Sequence, residues 1–190
     1  MTKAEIRKLY LQKRTGLTEA EYLQFNYRLC EQFFAHIDLS FIKVIHTFIP
    51  IEKNHEPNTW LIIDRLRREH PHIRLSLPRV NNQTAELENF YFEGLHQLKT
   101  NTWGIQEPKQ GVPTEPDKID LVLVPLLAFD LTGHRVGYGK GFYDKFLSLC
   151  RPSCQRIGIS LFPPIDKIDD VWAEDQPLTA AVTPDEILNF

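Results

Sequence analysis

Asp120-Leu-Val-Leu-Val-Pro-Leu-Leu-Ala-Phe-Asp130-Leu-Thr-Gly-His-Arg135-Val-Gly-Tyr-Gly-Lys140-Gly-Phe-Tyr-Asp144-Lys-Phe-Leu-Ser-Leu-Cys150 is the stretch on which the fold turns. It opens on a short apolar run, Leu121 to Val124, stopped by Pro125. Such a run reads as a buried strand in a sheet covered on both faces. It closes on Phe142, Tyr143, Phe146, Leu147 and Cys150, which share one face of a short helix. Between them lies a loop with Asp130, Arg135, Lys140 and four of the chain's nine glycines. Glycine lets backbone N–H groups turn inward and approach an anion closely. A strand, a glycine-rich loop and a helix N-terminus therefore make a phosphate cradle, with Arg135 and Lys140 supplying charge. Asp144, in the first turn of the helix, is a hard oxygen ligand placed for the accompanying Mg²⁺.

The loop is neither of the common phosphate fingerprints. Lys140 is followed by Gly141 and Phe142, not by Ser or Thr, and Gly137, Gly139 and Gly141 are spaced G-x-G-x-G. A glycine-rich surface turn with incidental charge is the competing reading. The strand before, the helix after, two cations and a carboxylate favour phosphate or nucleotide binding.

Working outward, the composition is that of an ordinary soluble globular chain, and 190 residues suffice for one domain, 1–190, with its own core. A formal charge of −3 leaves no basic footprint for nucleic acid. Cys30, Cys150 and Cys154 complete no zinc site and read as free thiols in a reducing compartment. No apolar run approaches a membrane span and the N-terminus lacks an apolar leader, so a cytoplasmic protein without membrane partners is expected.

Thr2-Lys-Ala-Glu5 and Thr18-Glu-Ala-Glu21 are capping boxes that start two helices. The first buries Ile6, Leu9 and Tyr10, and the second Tyr22, Phe25, Leu29 and Phe33. Lys3 and Arg7 share a helix face, which alone reads as a solvated basic edge. Val44 to Ile49 is a buried strand stopped by Pro50, followed by a polar loop and a helix from about Thr59. Further strands are expected at Ile73 to Leu77, ending at Pro78, and at Leu87 to Phe92 on an edge. Arg156 to Leu161 and, as the last strand, Ala181 to Thr183 complete the set. Short buried strands alternating with helices predict an α/β fold, a three-layer sandwich on a mainly parallel central sheet, with the phosphate loop at a strand's carboxyl end.

The run from Pro125 to Asp144 resembles, without a gap, the signature of the 5-formyltetrahydrofolate cyclo-ligase family, also called 5,10-methenyltetrahydrofolate synthetases. Trp103-Gly104-Ile105 with Glu107-Pro108 and the Leu77-Pro78 strand end are similar to further family elements, so the resemblance spans the chain and is densest in the loop. It implies ATP-dependent cyclisation of 5-formyltetrahydrofolate to 5,10-methenyltetrahydrofolate, with ADP and phosphate released. By the same resemblance, Lys3, Ala4, Glu5, Ile6 and Arg7 join Arg135, Val136, Gly137, Tyr138, Gly139, Lys140, Gly141, Phe142 and Tyr143 around ATP. Lys140 and Arg135 are then the catalytic cations, and Asp144 with Asp175 hold Mg²⁺. Ile49, Glu56 and Trp103, with Tyr138 to Phe142, meet the folate, and Glu52 competes with Glu56 for that role. Trp103 reads equally as core. Tyr138 departs from the arginine that many relatives carry there. Small molecules are the expected partners, and a monomer is expected.

Two other classes compete. One is a non-catalytic folate- or nucleotide-binding protein, which would not require Arg135, Lys140, Asp144 and Glu56 together. The other is a sugar-phosphate isomerase or acyl-CoA transferase, which needs a dedicated base or nucleophilic carboxylate that no motif supplies.

Overall fold

The computed structural model describes residues 1–190. Two helices lead, α1 (Lys3–Thr15) and α2 (Glu19–His36), followed by β1 (Val44–His46), α3 (Trp60–Glu69), β2 (Arg74–Asn81) and β3 (Glu86–Tyr91). A two-stranded ribbon, β4 (Leu98–Thr100) and β5 (Gln106–Pro108), precedes β6 (Leu121–Pro125). A second ribbon, β7 (Ala128–Phe129) and β8 (Arg135–Val136), leads to α4 (Phe142–Leu149), β9 (Gln155–Ile159), β10 (Ala180–Val182) and β11 (Ile187–Asn189).

Both capping boxes form. Glu5 N donates to Thr2 Oγ1 and Thr2 N to Glu5 Oε2, with Thr18 and Glu21 repeating the exchange. Each satisfies two backbone N–H groups that would otherwise be unpaired at the helix start.

The seven-stranded sheet has the order β11-β10-β9-β6-β1-β2-β3. Its inner pairs are parallel, and only the two edge strands run antiparallel to their neighbours. Alternate side chains go to opposite faces. Ile45, Leu121, Leu123, Ile157, Ile159, Ala180 and Val182 pack under α2 and α3 with Leu29, Phe33, Ile63 and Leu66. Val44, Val122, Val124 and Ala181 pack on the other face with Phe146 and Leu147 of α4. Burial on both faces is why these strands are near-continuous apolar runs, and the result is the expected three-layer sandwich. A third, smaller cluster sets Ile6 and Tyr10 of α1 on Leu127, Ala128 and Val136. It fixes α1 against the β7–β8 ribbon and so against the glycine loop.

Several elements differ from the sequence expectation: β1 ends at His46 and β9 at Ile159, short of the expected Ile49 and Leu161. β2 does not end at Pro78 but continues to Asn81. Beyond Ser76 it pairs with β3 alone, so the missing Pro78 N–H breaks no inner ladder. Ala181 to Thr183 is not the last strand, because β11 adds an antiparallel edge next to β10. Part of the presumed loop after Pro125 is the β7–β8 ribbon. Its turn is held by buried Asp130, whose Oδ1 accepts from Thr132 N at 3.0 Å, Thr132 Oγ1 at 2.8 Å and His134 N at 3.0 Å.

Candidate active site

The glycine loop, 137–141, runs from β8 to α4, and Arg14 ties its Tyr138 hydroxyl to the Leu126 carbonyl just past the carboxyl end of β6. Gly139 and Gly141 have φ of 85° and 72°, a region that favours glycine, and Gly141 is the N-cap of α4. A side chain on Gly137 or Gly141 would meet nothing within 4 Å, so this backbone borders open space. Arg7 reaches across from α1, its Nε donating to the Gly137 carbonyl at 2.9 Å. Lys140 is exposed at the turn of the loop and makes no hydrogen bond or ion pair within the chain.

Beside the loop lies a group of paired charges. The buried Arg135 guanidinium donates to Asp144 Oδ1 at 2.7 Å and to the Gln176 carbonyl. Asp144 Oδ1 also accepts from Gln176 N at 3.0 Å, which ties the segment carrying Asp175 to the start of α4. Asp175 Oδ2 takes the Lys3 ammonium and the Trp172 N–H. Burial works to raise the Asp175 pKa, but Lys3, the Trp172 amide and the Arg135 charge hold it below the usual carboxylate value. Lys3 lies 5.3 Å from the centre of the Trp172 ring, and its backbone N donates to Asp170 at 2.6 Å. The basic edge on α1 is thus turned inward, with Lys3 buried.

On the far side of the loop, Tyr138 points to Glu56. Its hydroxyl donates to Glu56 Oε1 at 2.6 Å, while Ile51 N donates to Oε2 at 2.7 Å. Glu56 is 4% exposed, whereas Glu52 sits exposed in a short 3-10 turn, so only Glu56 reaches the loop. Desolvation raises the Glu56 pKa, opposed by Tyr138, the Ile51 amide and Arg14. Desolvation, then the Glu56 charge, raises that of Tyr138. Ile49 is buried in the same segment. Trp103 is 56% exposed, so it is not core, and its carbonyl accepts from Lys53 Nζ at 3.4 Å beside the Glu56 turn.

Several expected site residues hold the frame. Ile6 and Val136 are fully buried against each other's elements, and the Glu5 carboxylate is spent on the capping box. Ala4 is exposed on α1. Phe142 and Tyr143 are partly buried in the first turn of α4, but the Tyr143 hydroxyl is fully enclosed without a hydrogen-bond partner. Beneath it lies His46, whose Nε2 meets Asn89 Oδ1 at 2.8 Å and whose Nδ1 is unpartnered.

The residue that the sequence concealed is Arg14. It is 1% exposed and donates to the Tyr138 hydroxyl at 3.2 Å and to the Leu126 carbonyl. A basic residue in the last turn of a helix ordinarily serves the helix dipole, so nothing local marks it as buried.

Residues 1–184 match the model of the 5-formyltetrahydrofolate cyclo-ligase family. The chain is 30% identical over 180 residues to the 5-formyltetrahydrofolate cyclo-ligase of Mycoplasma genitalium, covering 90% of this chain and 92% of that one. It is 27% identical over 182 residues to the Escherichia coli K12 enzyme of the same name, covering 93% and 97%. The solved structure of Aquifex aeolicus 5,10-methenyltetrahydrofolate synthetase superposes with a TM-score of 0.81 at 26% identity, over 100% of this chain and 93% of that one.

Proposed function

The chain belongs to the 5-formyltetrahydrofolate cyclo-ligase family and has that enzymatic activity, and we propose that it works as an ATP- and Mg²⁺-dependent cyclisation forming 5,10-methenyltetrahydrofolate, ADP and phosphate. The observation that carries the ATP reading is convergence. Arg7 from α1 and Arg135 from β8 flank one glycine loop, beside exposed Lys140 and two carboxylates.

The chemistry explains that arrangement. A formamide oxygen is a poor leaving group. Its attack on the γ-phosphorus breaks the bond to ADP and gives an iminium phosphate. The N10 lone pair then adds to the formyl carbon, the C–O bond breaks with loss of phosphate, and the N10 proton leaves. The protein's task is to hold the phosphates in line with that oxygen and offset the charge that develops. Gly137 to Gly141 offer backbone amides; Lys3, Arg7 and Arg135 anchor, and Lys140 follows the moving phosphoryl group. Ala4, Glu5 and Ile6 contribute by carrying Lys3 and Arg7 on one helix face, and Val136, Phe142 and Tyr143 by bracketing the loop. Ile49, Glu56, Trp103 and Tyr138 meet the folate.

Mg²⁺ suits the donor set. Asp144 and Asp175 each engage cations and amides through one oxygen and leave the other without a protein partner. Mg²⁺ commonly takes one or two carboxylates and completes its shell with water and phosphate oxygens. Bound there, it would neutralise β- and γ-phosphate charge.

The reading includes a single domain acting as a cytoplasmic monomer on small molecules, with neither nucleic acid nor membrane as partner. No helix is long and apolar enough to cross a membrane, and the net charge is −3. The test is coupling: with Mg-ATP, ADP should appear only when 5-formyltetrahydrofolate is present, in step with the near-ultraviolet band of the methenyl product. Steady ATP hydrolysis without folate, or ADP formed with folate but without that band, would refute it.

A further inference from the structure

Glu56 is a carboxylate almost removed from water, and no cation touches it directly. Its nearest guanidinium, Arg14, acts through an intermediary. Arg14 Nη1 donates to the Tyr138 oxygen at 3.2 Å, and the Tyr138 proton goes to Glu56 Oε1 at 2.6 Å. The phenol is thereby polarised by a charge on one side and offers its proton to a charge on the other. Arg14 also grips the Glu56 turn by its backbone. Its carbonyl accepts from His55 Nδ1 at 2.8 Å, and His55 carries a positive φ of 44°. The His55 ring stacks on Tyr22 at 4.9 Å, whose hydroxyl donates to the Glu56 carbonyl at 2.6 Å. One residue at the end of α1 thus restrains both neighbours in the pair His55–Glu56.

We propose that Arg14 is a positioning residue for folate recognition: through Tyr138 it keeps Glu56 ionised and aimed, so that the carboxylate can accept the N–H donors of the pterin ring. The proposal rests on the reading that Glu56 meets the folate. A pterin presents adjacent ring N–H and exocyclic amino donors, and an ionised carboxylate binds such a pair far better than a carboxylic acid does. Burial alone drives Glu56 toward the acid. The groups facing it are Tyr138 from the loop, Arg14 from α1, Tyr22 from α2 and Tyr143 from α4, with Glu52 in the adjoining turn. Of these Arg14 alone is a permanent cation; the Tyr138 hydrogen bond opposes burial more strongly than that charge does, so Arg14 acts on Glu56 chiefly by holding and polarising the Tyr138 hydroxyl. The link also joins the two halves of the site, because Tyr138 stands between Gly137 and Gly139 in the phosphate loop.

The test is equilibrium binding of 5-formyltetrahydrofolate without ATP, from pH 6 to 9, to the folded full chain and its variants. Arg14→Met should weaken folate binding about tenfold or more at neutral pH, and raising the pH should restore most of it as Glu56 ionises again. ATP affinity should change less than about threefold. Arg14→Lys keeps the charge and should keep the wild-type pH profile. Should Arg14→Met not fold, Tyr138→Phe breaks the same link and should move the profile to higher pH. A loss equal at every pH, or no loss, would overturn the proposal and leave Arg14 a purely structural residue. Glu56→Gln separates the two readings: it should weaken folate binding with little dependence on pH. Normal folate binding in Glu56→Gln would instead remove Glu56 from the folate site, and the role of Arg14 with it.

Discussion

The guanidinium of Arg7 closes over the backbone of Gly139: a Cβ at that glycine would lie 3.1 Å from Arg7 Cζ and 3.2 Å from Nε. The contact explains why this turn needs glycine twice over. Its φ of 85° is strained for other residues, and the space beside it belongs to Arg7.

Gly139→Ala should therefore act on nucleotide binding through Arg7. A left-handed alanine costs roughly 1 kcal/mol, and the methyl would shift the Arg7 guanidinium by a few tenths of an ångström, weakening its hydrogen bond to the Gly137 carbonyl. The Km for ATP should rise about tenfold with only a small loss of thermal stability. A variant with normal Km for ATP would show that Arg7 binds no phosphate.

Lys140 has no partner in the chain, so its substitution should leave folding intact. Removing a preorganised charge at a reacting group typically costs about 3–4 kcal/mol of transition-state stabilisation. Lys140→Met should lower kcat about a hundredfold or more, while the Kd for ATP rises less than about tenfold. Single-turnover product formation and equilibrium ATP binding on one preparation check this. A large binding loss with a normal chemical step would make Lys140 an anchor instead.

Asp144→Asn keeps an oxygen for Arg135 and for Gln176 N but removes the charge. The Mg²⁺ concentration needed for half-maximal activity should rise about tenfold or more. Activity unchanged at limiting Mg²⁺ would confine Asp144 to its pairing with Arg135 and to the helix dipole.

His46 gives the fold a pH dependence of its own. Complete burial depresses its pKa from 6.5 to about 3, against an opposing contribution from Asn89. The fold therefore keeps His46 neutral while the unfolded chain takes up a proton below about pH 6.5. Its contribution to stability is fully present above that pH and is lost as pH falls toward about 3, by up to about 1.4 kcal/mol per pH unit. His46→Gln can still donate to Asn89 but does not titrate, so urea unfolding should show a shallower decline between pH 6 and 4. Equal slopes for both proteins would mean that His46 titrates normally in the fold.

The sequence by itself determined the layers and the phosphate loop. Short continuous apolar runs, two capping boxes and a glycine cluster between a strand and a helix are local signals, set by backbone sterics and by burial of the inner strands on both faces. The continuous match from Pro125 to Asp144 also carried the family. Where local signals are ambiguous, sequence and structure part: β2 outruns Pro78 because that proline lies beyond the parallel ladder, and the edge strand β11 lies past the expected last strand.

Only the tertiary structure decided which charges meet. Lys3 and Asp175 pair across 172 residues, and Arg135 joins Asp144 and Gln176 because α1, β8 and the segment before β10 converge. Glu56 and Glu52 are equivalent in composition, yet one turn of backbone buries the first under Tyr138 and leaves the second in water. Arg14 reads locally as one more cation near a helix end, and becomes part of the site because Ile6 and Tyr10 seat α1 on the β7–β8 ribbon. Burial and pairing depend on how elements stack, and stacking is the sum of many weak apolar contacts spread along the whole chain.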